Sequence, residues 1–192
     1  MELQKAGSGL PNIERLFIKN ILVPLTSNIF TWNSALYMYK KEIQKITKLI
    51  ISLEDKALQQ KTIIDRTFAI EDHSRQFSVN MVLEHLTITG YGIMSVIDTL
   101  SKEKEFEKEI TVEGVKPFEN KQNSLKDLLA FSHKYENFIN NLSKEQSIAT
   151  KKHPWFIEFN NFQWSVFMFM HTFIHRRQIK AIVAQLEREK IV

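Results

Sequence analysis

The chain has 192 residues, 43% of them hydrophobic and 25% charged, which suits one domain with a sizeable core and leaves little room for a second. With only 5 glycines and 4 prolines it is short of the turn-formers an all-β fold consumes, so helices are expected. The 26 Lys and Arg against 22 Asp and Glu give a net charge of +4, dispersed among acidic neighbours as in 101–110 (SKEKEFEKEI), and this argues against a nucleic-acid binder, which gathers its positive charge on a stripe or arm.

The opening residues, MELQKAGSGLPNIERL, lack the basic-then-apolar order of a secretory signal. The apolar run 17–25 is short and contains Lys19, Asn20 and Pro24, so it cannot span a bilayer. A soluble, cytoplasmic protein without membrane contact is expected. Residues 1–11 read as a loose leader. From Pro11 to about Val23, Ile13, Leu16, Phe17 and Ile21 share one face of a short amphipathic helix that Pro24 should end or kink. Residues 1–32 thus form an N-terminal segment ahead of a helical domain over 33–190.

The first long helix is predicted over about 33–59. Leu36, Tyr39, Ile43, Ile46, Ile50 and Leu53 recur at spacings of three and four, with Lys40, Glu42, Lys45 and Lys48 on the opposite, solvent face. A polar connection containing IEDHSRQF follows, of a length that is often functional. The second long helix starts at Ser78 as N-cap and aligns Val82, His85, Leu86, Thr89, Ile93, Val96 and Leu100. Residues 101–123 are charged, then extended around 111–115, with Gly114 and Pro117 as breakers. The third helix begins near Ser124, where Asp127 suggests a capping box, and turns Leu128, Phe131, Tyr135, Ile139 and Leu142 inward. A loop over 143–159 holds His153–Pro154–Trp155–Phe156. The last helix starts at Asn160, with Gln163 three residues on. It runs to about Arg188, with Trp164, Phe167, Met168, His171, His175, Gln178, Ile182 and Leu186 on its inner face.

Four such helices, each with one apolar stripe, predict an all-α four-helix bundle. An irregular α-solenoid is the competing architecture, but no period repeats along the chain.

Histidine carries the candidate chemistry. His171 and His175 stand four residues apart, so their rings project from adjacent turns toward one point. Alone, such a pair is equally a polar patch. On an inward face two imidazoles need partners and cannot both ionise cheaply, and a shared cation satisfies both. His85 alone reads as a core histidine bonded to a backbone or hydroxyl group. Together the three predict a three-histidine site for a divalent metal such as zinc, nickel or iron, with a coordination position left open. The chain has no cysteine, so it lacks a disulfide and a thiolate of its own, and any thiol chemistry needs a thiol co-substrate.

The order of these histidines resembles the DinB/YfiT-like superfamily, in which one histidine comes from the second bundle helix and an H-x-x-x-H pair from the fourth. Here these are VLEHL, with His85, and MHTFIHRRQ, with His171 and His175. The flanking stretches IEDHSRQFSVNMVLEHL and HPWFIEFNNFQWSVFMFMHTFIHRRQIKAI are similar to a subgroup of that family, and the likeness spans about residues 33–188. The resemblance implies an up-down-down-up bundle, a divalent metal and a homodimer. It also implies thiol-dependent transferase or isomerase chemistry with bacillithiol, mycothiol or glutathione, or metal-dependent hydrolysis. Two features depart from the pattern. No glycine follows the HP-aromatic loop in Phe156–Ile157–Glu158, and Arg177 stands where the sulfoxide-synthase branch has a glutamate.

Around the triad, His153 reads either as a wall of the metal pocket and general base or as a loop histidine packed on Trp155. Arg75, Arg176 and Arg177 are candidates for an anionic substrate group, with solvated or salt-bridged roles as the alternative. Glu71 and Asp72 are candidates to orient Arg75. Gln178 is expected either to orient His175 or to bond a neighbouring helix. His73 and His133 receive no role. Two functions fit these residues: a metalloenzyme acting on a small molecule, with or without a low-molecular-weight thiol, and a non-catalytic stress-response or ligand-binding bundle with a structural metal.

Overall fold

The computed structural model describes residues 3–5, 7–111, 113–117, 120, 122–154 and 157–192, leaving aside the side chains of Val23, Ser27 and Glu113. The chain opens with α1 (Asn12–Phe17), a π-helical stretch (Ile18–Leu22) and α2 (Val23–Ile29). Pro24, expected to end or kink the helix, does not end it. It sits in the first turn of α2, just after the wider π turn. That turn accommodates the missing N–H and the bulk of the ring, so the helix passes on to Ile29. Part of the expected loose leader is anchored. Leu10 and Ile18 are buried in the core, and the backbone N–H groups of Gln4 and Gly9 donate to Asp72 (2.8 Å) and Glu71 (3.1 Å). The stripe Ile13, Leu16, Phe17 and Ile21, predicted as one face, is exposed.

Helix α3 (Trp32–Ile50) starts with a reciprocal cap in which Thr31 and Ser34 each accept from the other's backbone N–H. It ends at Ile50 rather than continuing to Gln59. After a turn, α4 (Asp55–Gln59) buries Ala57, and it packs against α5 (Val79–Leu100) instead of extending the α3 seam. Glu42 is not on the solvent face. It is 1% exposed and ion-paired to Lys45 and to Arg176. Its place among apolar neighbours is tolerated only because both partners reach it. Removing one partner from a buried pair costs about 3–5 kcal/mol.

Ser78 caps α5 as expected, accepting from the Met81 N–H at 3.2 Å. Between α5 and α6 (Ser124–Asn141) the chain forms a short 3-10 turn at Glu113–Val115, where an extended stretch was predicted. The capping box predicted from Ser124 and Asp127 does not form. Asn123 takes the N-cap position with φ 64°, a left-handed conformation that asparagine adopts more readily than most residues. The loop after α6 contains a two-stranded antiparallel pair, β1 (Lys151–Lys152) and β2 (Glu158–Phe159). Helix α7 (Asn161–Arg188) starts where the sequence places it, through the reciprocal Asn160–Gln163 cap at 2.8 and 3.0 Å.

The fold is mostly helical, with that one small sheet among the described residues. No described helix is long and apolar enough to cross a membrane. Helix α3 packs against α7 and α6, and α5 packs against the same two, around one core. The predicted inward residues of α3, α5, α6 and α7 are buried, apart from Leu53, Leu142, Phe167, His85 and His171, which keep partial exposure.

Two glycines on α5 act differently. A Cβ on Gly90 would run into the Phe131 ring of α6, whereas one on Gly92 meets no atom within 4 Å. Gly90→Ala is therefore expected to destabilise by about 1–3 kcal/mol through overpacking. Gly92→Ala should stabilise by about 0.5–1 kcal/mol, through reduced backbone freedom in the unfolded chain. Urea unfolding of both variants checks the opposite signs.

Candidate metal centre

The antiparallel-facing surfaces of α5 and α7 bring His85, His171 and His175 together. Their ring centroids lie 5.1 Å (85–171), 4.6 Å (85–175) and 4.4 Å (171–175) apart. One nitrogen from each ring falls within 4.8 Å of the other two, close enough to hold one metal ion. The Nε2 atoms of His85 and His171 are 3.2 Å apart. Nitrogens about 2.1 Å from a shared ion in tetrahedral geometry lie about 3.4 Å from one another, so the spacing fits a common ligand sphere.

The hydrogen bonds fix which nitrogens are free. Gln178 Nε2 donates to the Ser74 carbonyl at 2.7 Å, so its Oε1 faces His175. His175 Nδ1, at 2.7 Å from that oxygen, must therefore be the donor, and its Nε2 keeps a lone pair. His85 Nδ1 lies 2.6 Å from the Val115 carbonyl, which can only accept, so His85 Nε2 also keeps its lone pair. Two of the three rings are thus oriented and set to the metal-binding tautomer by partners outside the triad. Gln178 thus bonds both His175 and the 72–76 turn.

Electrostatics keep the rings neutral. Burial pushes His175 down to about 3, with His85 adding to the shift and the bond to Gln178 opposing it. Burial also lowers His85, against the pull of the Val115 carbonyl. His171 is held well below its ordinary value by burial and then by His175, His85 and His153. Neutral imidazole is the ligand form, so no proton has to be displaced by charge competition.

The triad opens on a cavity of about 530 Å³, whose wall includes His153, Phe167 and Ile88. His153 is buried among Phe159, Trp164 and Phe167, with ring centroids 5.8, 5.6 and 4.6 Å away. Its predicted place on the cavity wall is met. Burial pushes it down to about 3, so its ring is neutral near pH 7 and would be a weak general base. Its expected packing on Trp155, and the missing glycine at Phe156, lie outside the described residues.

The arginines expected at a substrate anion are elsewhere. Arg75 braces its own loop, donating to the Ile64 carbonyl at 2.8 Å and to Asp72 at 2.7 Å. Of its two expected partners Asp72 is bonded to it, while Glu71 accepts from Gly9. Arg176 pairs with Glu42, and neither it, Arg75 nor Arg177 lines the cavity. Sequence reasoning missed the carbonyls of Ser74 and Val115, which carry no side-chain signal. It also missed Leu10, Ile18 and Leu22 as cavity walls, although their apolar character was visible.

No protein-family model matches the chain, no curated protein matches it, and no solved structure matches it.

Two outcomes follow from this geometry. Gln178→Leu should weaken metal binding about 10–100-fold with the helical signal retained, as read by competition with a chromophoric chelator; an unchanged affinity would remove Gln178 from the site. In the metal-free protein, His153 and His175 stay neutral when folded down to about pH 3, whereas the unfolded chain takes up protons below about pH 6.5. Their contribution to stability is complete above pH 6.5 and declines as pH falls, by at most about 1.4 kcal/mol per pH unit for each. Urea midpoints should accordingly drop from pH 7.5 to pH 5, and a flat profile would show that the rings are hydrated.

Proposed function

We propose that the chain is a divalent-metal-dependent enzyme of the DinB/YfiT-like type, with His85, His171 and His175 as metal ligands. The observation that carries this is the convergence of three neutral imidazoles, two of them locked with Nε2 free, on the wall of an open cavity.

The helix directions support the bundle assignment. Trp32 meets Phe162 and Glu42 meets Arg176, so α3 and α7 run the same way. His85 meets His171 while Ser101 bonds Asn161, so α5 opposes α7. Ser78 bonds Asn120 and Gly90 abuts Phe131, so α6 follows α5. Tyr39 meets Tyr135 and Trp32 meets Lys144, so α3 opposes α6. These directions read as up, down, down, up for α3, α5, α6 and α7, and so support the topology that the sequence resemblance implies. Of the two parallel pairs, α5 and α6 follow one another along the chain, and the long stretch 101–123 carries the chain back between their opposite ends.

A bound zinc, nickel or ferrous ion would act as a Lewis acid and lower the pKa of a water or thiol at its open position. The chain's residues hold and orient. Val115 and Gln178 aim two ligands, and the apolar cavity wall limits water. His153 stays neutral and shapes the wall. The chain has no cysteine, so a thiol would come as a small co-substrate, and transfer, isomerisation or hydrolysis are the reaction classes. A homodimer and a cytoplasmic setting belong to the same proposal.

Metal analysis of purified wild type and His171→Ala tests the ligand set. Stoichiometric metal in wild type and its loss in the variant are expected, and equally weak binding by both would refute the site. Chelation separates a catalytic from a structural ion. The helical signal and the melting transition should survive metal removal if the ion is catalytic, whereas a structural ion would take the fold with it. Turnover of an electrophile with bacillithiol, mycothiol or glutathione reads the thiol-dependent branch.

A further inference from the structure

We infer that the cavity beside the triad takes an amphiphile, a hydrocarbon chain or ring body carrying one small metal-ligating head group. The head-group half of this inference rests on the metal-centre reading above; the apolar half rests on the cavity wall alone.

The cavity follows one face of α5. His85, Ile88, Gly92 and Val96 line it in succession, spanning a rise of roughly 16 Å along the helix. A head group at His85 therefore leaves a body lying toward Val96. Facing this path are Phe106 and Ile110 from the segment after α5, while Ile18 from the N-terminal segment forms another part of the wall. A volume of about 530 Å³ is in the range that encloses a small organic molecule.

The charges match that body. No arginine lines the cavity among the described residues. Glu71, the buried carboxylate on the wall, accepts from the Gly9 N–H, Lys116 is half-buried on the wall, and Lys108 and Glu109 are exposed to water. A polyanionic molecule would surrender its hydration here without the guanidinium forks that compensate buried carboxylates. A hydrocarbon body surrenders nothing and gains from every methylene it buries.

Gly92 marks the open end of that path. It stands two turns from His85 on the same face, in a helix interior where glycine costs stability. Unlike Gly90, it permits no close helix contact, since a Cβ there meets nothing within 4 Å. Gly92 is exposed, so the space in front of it is the solvent-open mouth of the cavity.

Two chain-length series test the inference by binding, without reference to turnover. Alkyl hydroxamates, from acetohydroxamate to dodecanohydroxamate, are titrated into the zinc-loaded protein. Alkanols, from butanol to decanol, are titrated into the metal-free protein by displacement of an apolar fluorophore. Affinity should rise about threefold to fourfold per methylene in both series until the channel is filled. In Gly92→Leu, acetohydroxamate should bind as in wild type and the long homologues at least tenfold more weakly. That variant should melt no lower than wild type, so misfolding cannot mimic the effect. Acetohydroxamate binding with no gain per methylene in either series overturns the amphiphile and leaves the metal centre standing. A gain for the alkanols with no hydroxamate binding at any length overturns the metal-ligating head group and leaves the apolar body.

Discussion

Each neutral imidazole brings one donor and one acceptor nitrogen into a largely apolar interior, and every one of them has to be answered there. The region between α5 and α7 is organised by that requirement. Val115 answers the donor of His85, and Gln178 answers the donor of His175. One nitrogen of each of the three rings lies within 4.8 Å of the others, and the Nε2 atoms of His85 and His171 are separated by 3.2 Å. Lone pairs so close repel unless a proton or a cation lies between them. A proton can satisfy one pair, whereas a metal ion can satisfy all three rings together. The packing of the segment after α5, the position of the 72–76 turn and the depth of Gln178 all contribute to this arrangement.

The sequence disclosed the side of the site that depends on side chains. Helical phase brings His85, His171 and His175 to inward faces, and the Asn160–Gln163 pair marks where α7 begins. The inward stripes of α5, α6 and α7 follow from spacing because the core selects for apolar surface, whatever the loops do. Other features depend on tertiary context. Glu42 reads as a surface residue until Arg176 reaches it across the α3–α7 contact. Asp127 looks like half of a capping box until Asn123 adopts the left-handed conformation ahead of it. No local pattern announces that α3 ends at Ile50 and that Ala57 of α4 is buried after it.

The N-terminal segment is similar in kind. Its stripe of Ile13, Leu16, Phe17 and Ile21 predicts one buried face, yet those residues are exposed while Leu10 and Ile18 turn to the core and the cavity. Amphipathic spacing marks a face without saying which neighbour it will meet. The arginines show the same limit in electrostatic form. Arg75 and Arg176 have the chemistry to hold an anion, but Asp72, the Ile64 carbonyl and Glu42 already occupy them. The cavity keeps its apolar character because those guanidinium groups are engaged elsewhere.

The carbonyls of Val115 and Ser74 give the site an uneven tolerance to sequence drift. Any residue other than the two present would offer the same oxygen, so positions 74 and 115 can change identity freely as long as the chain keeps its course. Gln178 has no such freedom, because its side chain must accept from one group and donate to another. Length is what the two loops cannot vary: a residue gained or lost between α4 and α5, or between α5 and α6, moves an oxygen away from the ring or amide that depends on it. Among distant descendants of this chain, loop composition should therefore wander while loop length stays nearly constant, a pattern that residue-by-residue comparison would mistake for irrelevance.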